Sequence, residues 1–336
     1  MADVSQSKSY QYVLLAVIAL CTVGVALAQI FHPVNTVSKA PQSVLPLAKS
    51  KQIAKAGIDR LEGRKARDGR LSVYELNERF SKIGYELDPV LNGQNAVPRV
   101  FVRSLPYDLS MLKQAEERKS MFFRTLLPLV LKINEEILAN RAKVWALRHR
   151  LNIGLELKAE DRIWLDAAFS RYRVKPGKFD TLLTKLDMVP PSLILAQAAE
   201  ESGWGTSRFA REGNALFGQW TFNPKDKGIV PLGRPAGKTH RIKSFDDLAG
   251  SLRSYIRNLN SHKAYAPLRQ MRKQMRRKGQ EFDGYRLAGT LDKYSERGEE
   301  YIVSIQSIMD KNDLRRFDGA TLDDTDLNIT VDRPLI

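Results

Sequence analysis

The stretch Pro190-Pro191-Ser192-Leu193-Ile194-Leu195-Ala196-Gln197-Ala198-Ala199-Glu200-Glu201-Ser202-Gly203-Trp204-Gly205 decides the reading of the chain. Paired prolines open a helix, since proline's fixed φ suits the first turn, and Ser192 is placed to cap it. Gly203 and Gly205 close it. The body is small and apolar, suited to burial, yet it ends in two carboxylates and an indole. A carboxylate there has two reasons to hold its proton: the negative end of the helix dipole and a like charge on the neighbouring residue. A general acid requires that property. Gln197 and Glu201 are four residues apart and share a face, whereas Glu200 projects roughly a hundred degrees away, so only one glutamate faces a given cleft. The competing reading, that both carboxylates decorate a solvated helix end, is weakened by the flanking glycines, Trp204 and the apolar turn before them.

Outward from this helix the chain divides by composition. Tyr12 to Phe31 is an uncharged apolar run about long enough to cross a bilayer. An uncleaved anchor within residues 1–31 is favoured over a signal peptide, although Ala26-Leu27-Ala28 fits a small-x-small cleavage pattern. Lys8 precedes the run and Lys39, Lys49 and Lys51 follow it, so the positive-inside rule does not by itself export the C-terminal part. Residues 32–52, with Pro33, Pro41 and Pro46, read as an extended tether. Residues 53–175 read as a mainly helical N-terminal domain, with a turn at Asp68-Gly69, a helix from Val73 to Tyr85 and a short strand at Arg99–Val102. Asp108 stands as the N-cap region of a long helical stretch that Pro128 kinks or splits, with further helix at 141–151 and 159–171. A turn at Val174–Gly177 marks a boundary, and residues 176–318 form the second domain. The acidic, aperiodic tail 319–336 is expected to be disordered.

The 336 residues carry a formal charge of +16, which implies an anionic partner: nucleic acid, lipid headgroups or a carboxylate-rich polymer such as peptidoglycan. The basic cluster Arg269, Arg272, Lys273, Arg276, Arg277 and Lys278 reads first as a solvated helix face, and second as a lure for anionic peptide stems. Aromatic interleaving and zinc-finger spacing are absent, which argues against nucleic acid. The single cysteine, Cys21, lies in the apolar run, so disulfides and thiol catalysis are excluded downstream of it. Four histidines, spread along the chain, do not make a metal site, and no metal or cofactor is implied.

The run Ala196–Gly205, followed by Ser207-Arg208-Phe209 and Gly213-Asn214-Ala215-Leu216-Phe217-Gly218, resembles the signature of family 73 glycoside hydrolases, bacterial endo-β-N-acetylglucosaminidases. The likeness extends from about Leu105 to Asp318 and includes Gln219–Phe222, Asn258–His262 and Tyr294–Gly298. It implies a lysozyme-like helical lobe and a small β-containing lobe; with the helical N-terminal region and the one transmembrane helix read from the residues themselves, the fold class is mainly α, and the anchor and residues 32–100 lie outside the likeness. It places the catalytic acid of Glu-Ser-Gly-Trp-Gly on Glu201 and leaves Glu200 as a charge where relatives carry a neutral residue. The family's late tyrosine, which helps orient substrate or the attacking water, matches Tyr294, with Tyr301 as the alternative. Ala215 stands where many relatives carry Asn, while Asn214 remains.

Glycoside cleavage normally uses two carboxyl groups. Asp226 lies in the expected β lobe and is the candidate second carboxylate, whereas Asp246 and Asp247 fit better as caps of a helix over Leu248–Leu259. Assistance by the sugar's own acetamido group removes the need for a second acid. Gln197, Trp204, Asn214, Phe217, Trp220, Tyr265 and Tyr301 are the candidate substrate-binding residues, with Trp204 and Phe217 equally suited to a core. The activity implied is hydrolysis of the β-1,4 bond after N-acetylglucosamine in peptidoglycan glycan strands, by a single-pass inner-membrane protein whose catalytic domain lies in the periplasm. The rivals are a non-catalytic wall-binding or scaffolding role, lytic transglycosylation, and an amidase label that no zinc site supports.

Overall fold

The computed structural model describes residues 64–235 and 237–324, with Ile58, Leu61 and Ile329–Thr330 beside them. The apolar run 12–31 and the tether 32–52 lie outside the described residues. Among the described residues no helix is long and apolar enough to cross a membrane.

The protein is mainly helical. After the Asp68-Gly69 turn, both of whose residues have positive φ, α1 (Val73–Lys82) starts from a capping box in which Ser72 and Glu75 satisfy each other's backbone N–H groups. A short α2 (Leu87–Leu91) follows. The strand expected at 99–102 is β1 (Val100–Phe101), which pairs in parallel with β5 (Ile329–Thr330). The tail is therefore not free at its start: Leu322 is buried and bridges Val97, and the Asp323 N–H donates to the Val97 carbonyl at 2.8 Å. Leu322 and the backbone bonds of Thr321 and Asp323 to Val97 dock the start of the tail, a cue that charge and lost periodicity hide.

The long helix is α3 (Ala115–Asn152), 38 residues that run unbroken through Pro128 and absorb the segment 141–151. Every residue from Met121 to Leu131 is buried, so neighbours on all sides hold the helix together where proline removes one hydrogen bond. Asp108 does not cap it. Its carboxylate instead accepts the Val73 N–H at 2.8 Å and so joins the start of α1 to the segment leading into α3.

Beyond α3 come α4 (Ala159–Arg171) and α5 (Phe179–Lys185). The expected boundary at 175/176 falls in the turn between them, and residues on both sides of it belong to one apolar core that runs from Leu61 to Leu322. Asn134 of α3 bonds Val189 in both directions, donating to its carbonyl at 2.8 Å and accepting its N–H at 3.2 Å. The central element is α6 (Pro191–Ser202), which packs against α3 and against two later helices, α10 (Gly284–Ala288) and α11 (Glu299–Lys311). Leu193, Ile194 and Leu195 are fully buried, each worth about 1.5–3 kcal/mol in water-excluded apolar surface. Ser192 is not the cap. Its own N–H and hydroxyl both donate to Asp318, at 2.8 Å each, so the cap of α6 arrives from the far end of the chain.

A short α7 (Arg208–Gly213) leads into a three-stranded antiparallel sheet of β2 (Trp220–Thr221), β3 (Gly228–Ile229) and β4 (Arg241–Lys243), in the order β2-β4-β3. Then α8 (Leu248–Ser261) starts from Asp247, whose carboxylate accepts the Gly250 N–H at 2.7 Å, as the sequence implies. Asp246 pairs with Lys227 instead. The basic cluster on α9 (Ala266–Arg277) is only partly a solvated face. Arg272 is fully buried and donates to the carbonyls of Asp187, Met188, Thr184 and Lys185, while Arg269 donates to those of Leu259 and His262. Arg276 binds the buried Asp187 carboxylate through two bonds, at 2.7 and 2.6 Å. Burial lowers the Arg272 guanidinium to about 10. Arg272 and Arg276 are thus spent on fixing the loop that leads into α6, and Arg269 on the end of α8.

Candidate active site

The C-terminal end of α6 is a tight turn. Gly203, Trp204 and Gly205 follow one another in the left-handed region, at φ of 57°, 59° and 76°. Glycine is needed at 205 twice over: a Cβ there would lie 2.5 Å from Leu105 Cδ1 and 3.1 Å from atoms of Leu109 and Phe122. The turn therefore sits directly on the N-terminal region. Trp204 faces the same way, its ring edge-on to Phe122 and Phe123 at 6.1 and 5.5 Å with the Lys119 ammonium 5.4 Å from its centroid. Its indole packs against α3 and seats the turn.

With the turn fixed, Glu201 projects half-buried toward α11. The Tyr301 hydroxyl donates to Glu201 Oε1 at 2.9 Å, and Gln197, one turn back along α6, donates from Nε2 to the Tyr301 oxygen at 2.8 Å. The Tyr255 hydroxyl of α8 donates to Gln197 Oε1. Burial raises the Glu201 pKa above the ordinary carboxylate value; the Tyr301 bond opposes it, the Glu200 charge adds to it, and Arg297 works against it. Glu200 points elsewhere, as the helical geometry requires, and accepts from Arg297 at 2.8 Å and from Ser304 at 3.0 Å.

The remaining expected site residues divide into supports and surface. Tyr294 is half-buried and stacks on Tyr301 at 5.1 Å and 16°. Burial and the Glu201 charge push its phenol well above its ordinary value, so it stays neutral. The direct bond to Glu201 comes from Tyr301. Phe217 is buried and stacks on Tyr255 at 3.8 Å and 6°. Tyr265 is buried beside Tyr294. Asn214 terminates α7 in the left-handed conformation and donates to the Phe245 carbonyl at 3.2 Å. Phe217 and Tyr265 are thus buried supports, while Trp204 and Asn214 are half-buried and engaged by neighbours on one side.

Trp220 is different. It is 61 % exposed, with one face stacked on His240 at 4.4 Å and Phe222, 67 % exposed, at its edge. Alternation along the strand puts Trp220 and Phe222 outward and Thr221 inward. Asp226, in the turn between β2 and β3, accepts from Thr221 at 2.7 Å and from Lys243 at 3.1 Å, both through Oδ2. These hydrogen bonds hold its carboxyl below the usual range, hence ionised.

Sequence reasoning missed Tyr255, Arg297, Ser304 and the Phe222–His240 pair. Tyr255 sits on the buried stripe of α8 with Leu252, Ile256 and Leu259, which conceals its hydroxyl among core positions. Arg297 and Ser304 flank Tyr301 at helical spacing, a legible signal had the partner of Glu200 been sought there.

A half-buried carboxyl whose pKa burial raises, with one oxygen bonded by a tyrosine hydroxyl, is a geometry suited to a general acid. Residues 179–314 match the family described as mannosyl-glycoprotein endo-beta-N-acetylglucosaminidase. Over 204 residues the chain is 33 % identical to protein bax of Escherichia coli (strain K12), which covers 59 % of this chain and 70 % of that protein. The chain belongs to this glucosaminidase family, glycoside hydrolase family 73, as a Bax-like member. No solved structure gives a significant match.

Proposed function

We propose that the protein hydrolyses the β-1,4 bond after N-acetylglucosamine in peptidoglycan, with Glu201 as general acid. The observation that carries this reading is the half-buried Glu201 carboxyl, its pKa raised by burial and one oxygen held by Tyr301. The acid protonates the glycosidic oxygen as the C–O bond breaks, and a water, deprotonated by a base, completes the sugar. Asp226 is the residue we assign as that base: its pKa is lowered, and Thr221 and Lys243 both engage Oδ2, so neither bond occupies Oδ1. On this reading the glycan strand lies between α6 and the sheet. The open face of Trp220, with Phe222 at its edge, supplies a platform on which a sugar ring stacks. Residues 12–31 anchor the protein in the inner membrane and hold the hydrolase in the periplasm, where peptidoglycan is its partner. The domain limits 53–175 and 176–318 belong to this reading as functional rather than packing units.

The test is Glu201→Gln in the full chain, assayed on purified sacculi with mass spectrometry of the released fragments. Loss of fragments with retained wall binding supports the acid, and unchanged release refutes it. Anhydro-muramyl ends in place of reducing ends would overturn hydrolysis in favour of transglycosylation. A reporter after Ile336 that is active only in the cytoplasm would remove the substrate from reach.

A further inference from the structure

A lone general acid needs a desolvated carboxyl, yet Glu201 stands at the end of a chain of three polar groups drawn from three helices. Gln197 lies on α6, Tyr301 on α11 and Tyr255 on α8. Gln197 is fully buried, and Tyr255 and Tyr301 are 1 % and 2 % exposed. We propose that Gln197 and Tyr255 are positioning residues that commit the Tyr301 hydroxyl to Glu201 Oε1, and so leave Oε2 as the oxygen that carries and delivers the acid's proton. The proposal rests on the reading of Glu201 as the acid.

The direction of the chain follows from hydrogen-bond bookkeeping. Tyr255 has one phenolic proton, and Gln197 Oε1 accepts it. The Phe217 ring stacks on Tyr255 at 3.8 Å and the Tyr294 ring stands edge-on at 6.4 Å, and Gln197 Oε1 is the acceptor the hydroxyl uses. Turning the Gln197 amide over would face its NH₂ to the Tyr255 oxygen and strand that buried proton without an acceptor, so the amide is held in one orientation. In that orientation Nε2 faces the Tyr301 oxygen and donates to it at 2.8 Å. Tyr301 then has its proton left for Glu201 Oε1, 2.9 Å away. An oxygen that accepts such a bond is the carbonyl-like oxygen of a protonated carboxyl, so the acid's own proton resides on the other one. Each bond in the series polarises the next in the same sense.

The charges acting on Glu201 are Glu200, its neighbour on α6, and Arg297 before α11, and these two are paired with each other. Tyr255, Tyr265, Tyr294 and Tyr301 also face it from α8, the turn after α8, and the segment around α11, and burial keeps all four phenols neutral. The four phenols therefore add no titration of their own, and the Glu200–Arg297 pair is common to every variant compared.

The experiment compares Tyr301→Phe, Gln197→Met and Tyr255→Phe in the full chain by two readouts. The first is the pH profile of kcat/KM on sacculi. The second needs no activity: the melting temperature of each variant minus that of the same variant carrying Glu201→Gln, followed against pH, which reports the Glu201 titration directly. Tyr301→Phe removes the donor to Oε1 and moves the Glu201 titration up by about one unit. Gln197→Met and Tyr255→Phe move it in the same direction by less, the first because Tyr301 loses its polarising donor, the second because the freed amide turns and draws the Tyr301 proton to itself. Titrations unmoved in Gln197→Met and Tyr255→Phe, with activity lowered evenly at every pH, would show merely structural roles and overturn the proposal. A displaced titration in a protein whose Glu201→Gln variant still cleaves sacculi would sustain the relay while removing Glu201 as the acid, and so separates the two readings.

Discussion

Arg297 holds the carboxylate of Glu200 at 2.8 Å, and Ser304 adds a second bond at 3.0 Å. The second acid, beside the proposed general acid, is thereby balanced, and Glu201 experiences a paired charge rather than a bare one. Arg297→Met is expected to leave Glu200 unopposed and move the basic limb of the activity profile up. Glu200→Gln, which removes the repulsion, is expected to move it down. The pair of pH–rate profiles checks the assignment, since equal profiles would mean that neither charge reaches Glu201.

Glu201 itself has a stability signature with a definite sign. Below its ordinary value of 4.5 the carboxyl is protonated in both folded and unfolded chains, and Glu201→Gln changes little. As pH rises past that value the unfolded chain gives up a proton that the folded chain retains, so the parent loses stability toward the raised value and stays lower above it. The variant, which cannot ionise, is expected to melt higher than the parent at neutral pH and level with it at about pH 4, as calorimetry across that range will read. Its activity is expected to fall roughly a hundred- to ten-thousand-fold.

Gly205→Ala combines a left-handed φ of 76° with a Cβ 2.5 Å from Leu105 Cδ1. The expected loss is about 2–4 kcal/mol of unfolding free energy, from backbone strain plus overpacking. Urea titration measures it, and Gly237→Ala, where nothing lies within 4 Å of the built Cβ, is the control for φ alone.

Asp318→Ala removes the acceptor for the Ser192 N–H, the Ser192 hydroxyl and the Gly284 N–H. Two buried backbone donors and a hydroxyl are left without their partner, and about 2–4 kcal/mol is expected to be lost. Asp318→Asn, which keeps an acceptor oxygen, is expected to lose less.

Trp220→Ala touches an exposed side chain and is expected to leave the melting temperature nearly unchanged. If its open face binds sugar, KM rises about three- to tenfold with kcat largely kept, a contact worth about 1 kcal/mol. Steady-state kinetics on a soluble glycan fragment separates the two constants.

What the sequence made legible was local. The α6 helix, its glycine stop and the divergence of Glu200 from Glu201 follow from a 3.6-residue period and from glycine's freedom at positive φ. The cap of α6 was not legible, because Asp318 reaches Ser192 across 126 residues. Burial of Arg269 and Arg272 was hidden for a related reason: a run of arginines reads as solvated until the carbonyls that absorb it are in place. The division of the aromatics was equally out of reach, since Phe217 and Trp220 differ in burial while standing three residues apart.

The seat beneath Gly205 sets a boundary on inheritance. The segment matching the glucosaminidase family begins at residue 179, but Leu105, Leu109 and Phe122, against which the acid-bearing turn is moulded, lie well before it. A chimaera that grafts the matched segment onto a foreign leader would arrive without its anvil. Transplanting the chemistry of this protein means carrying α3 and the residues ahead of it as part of the graft.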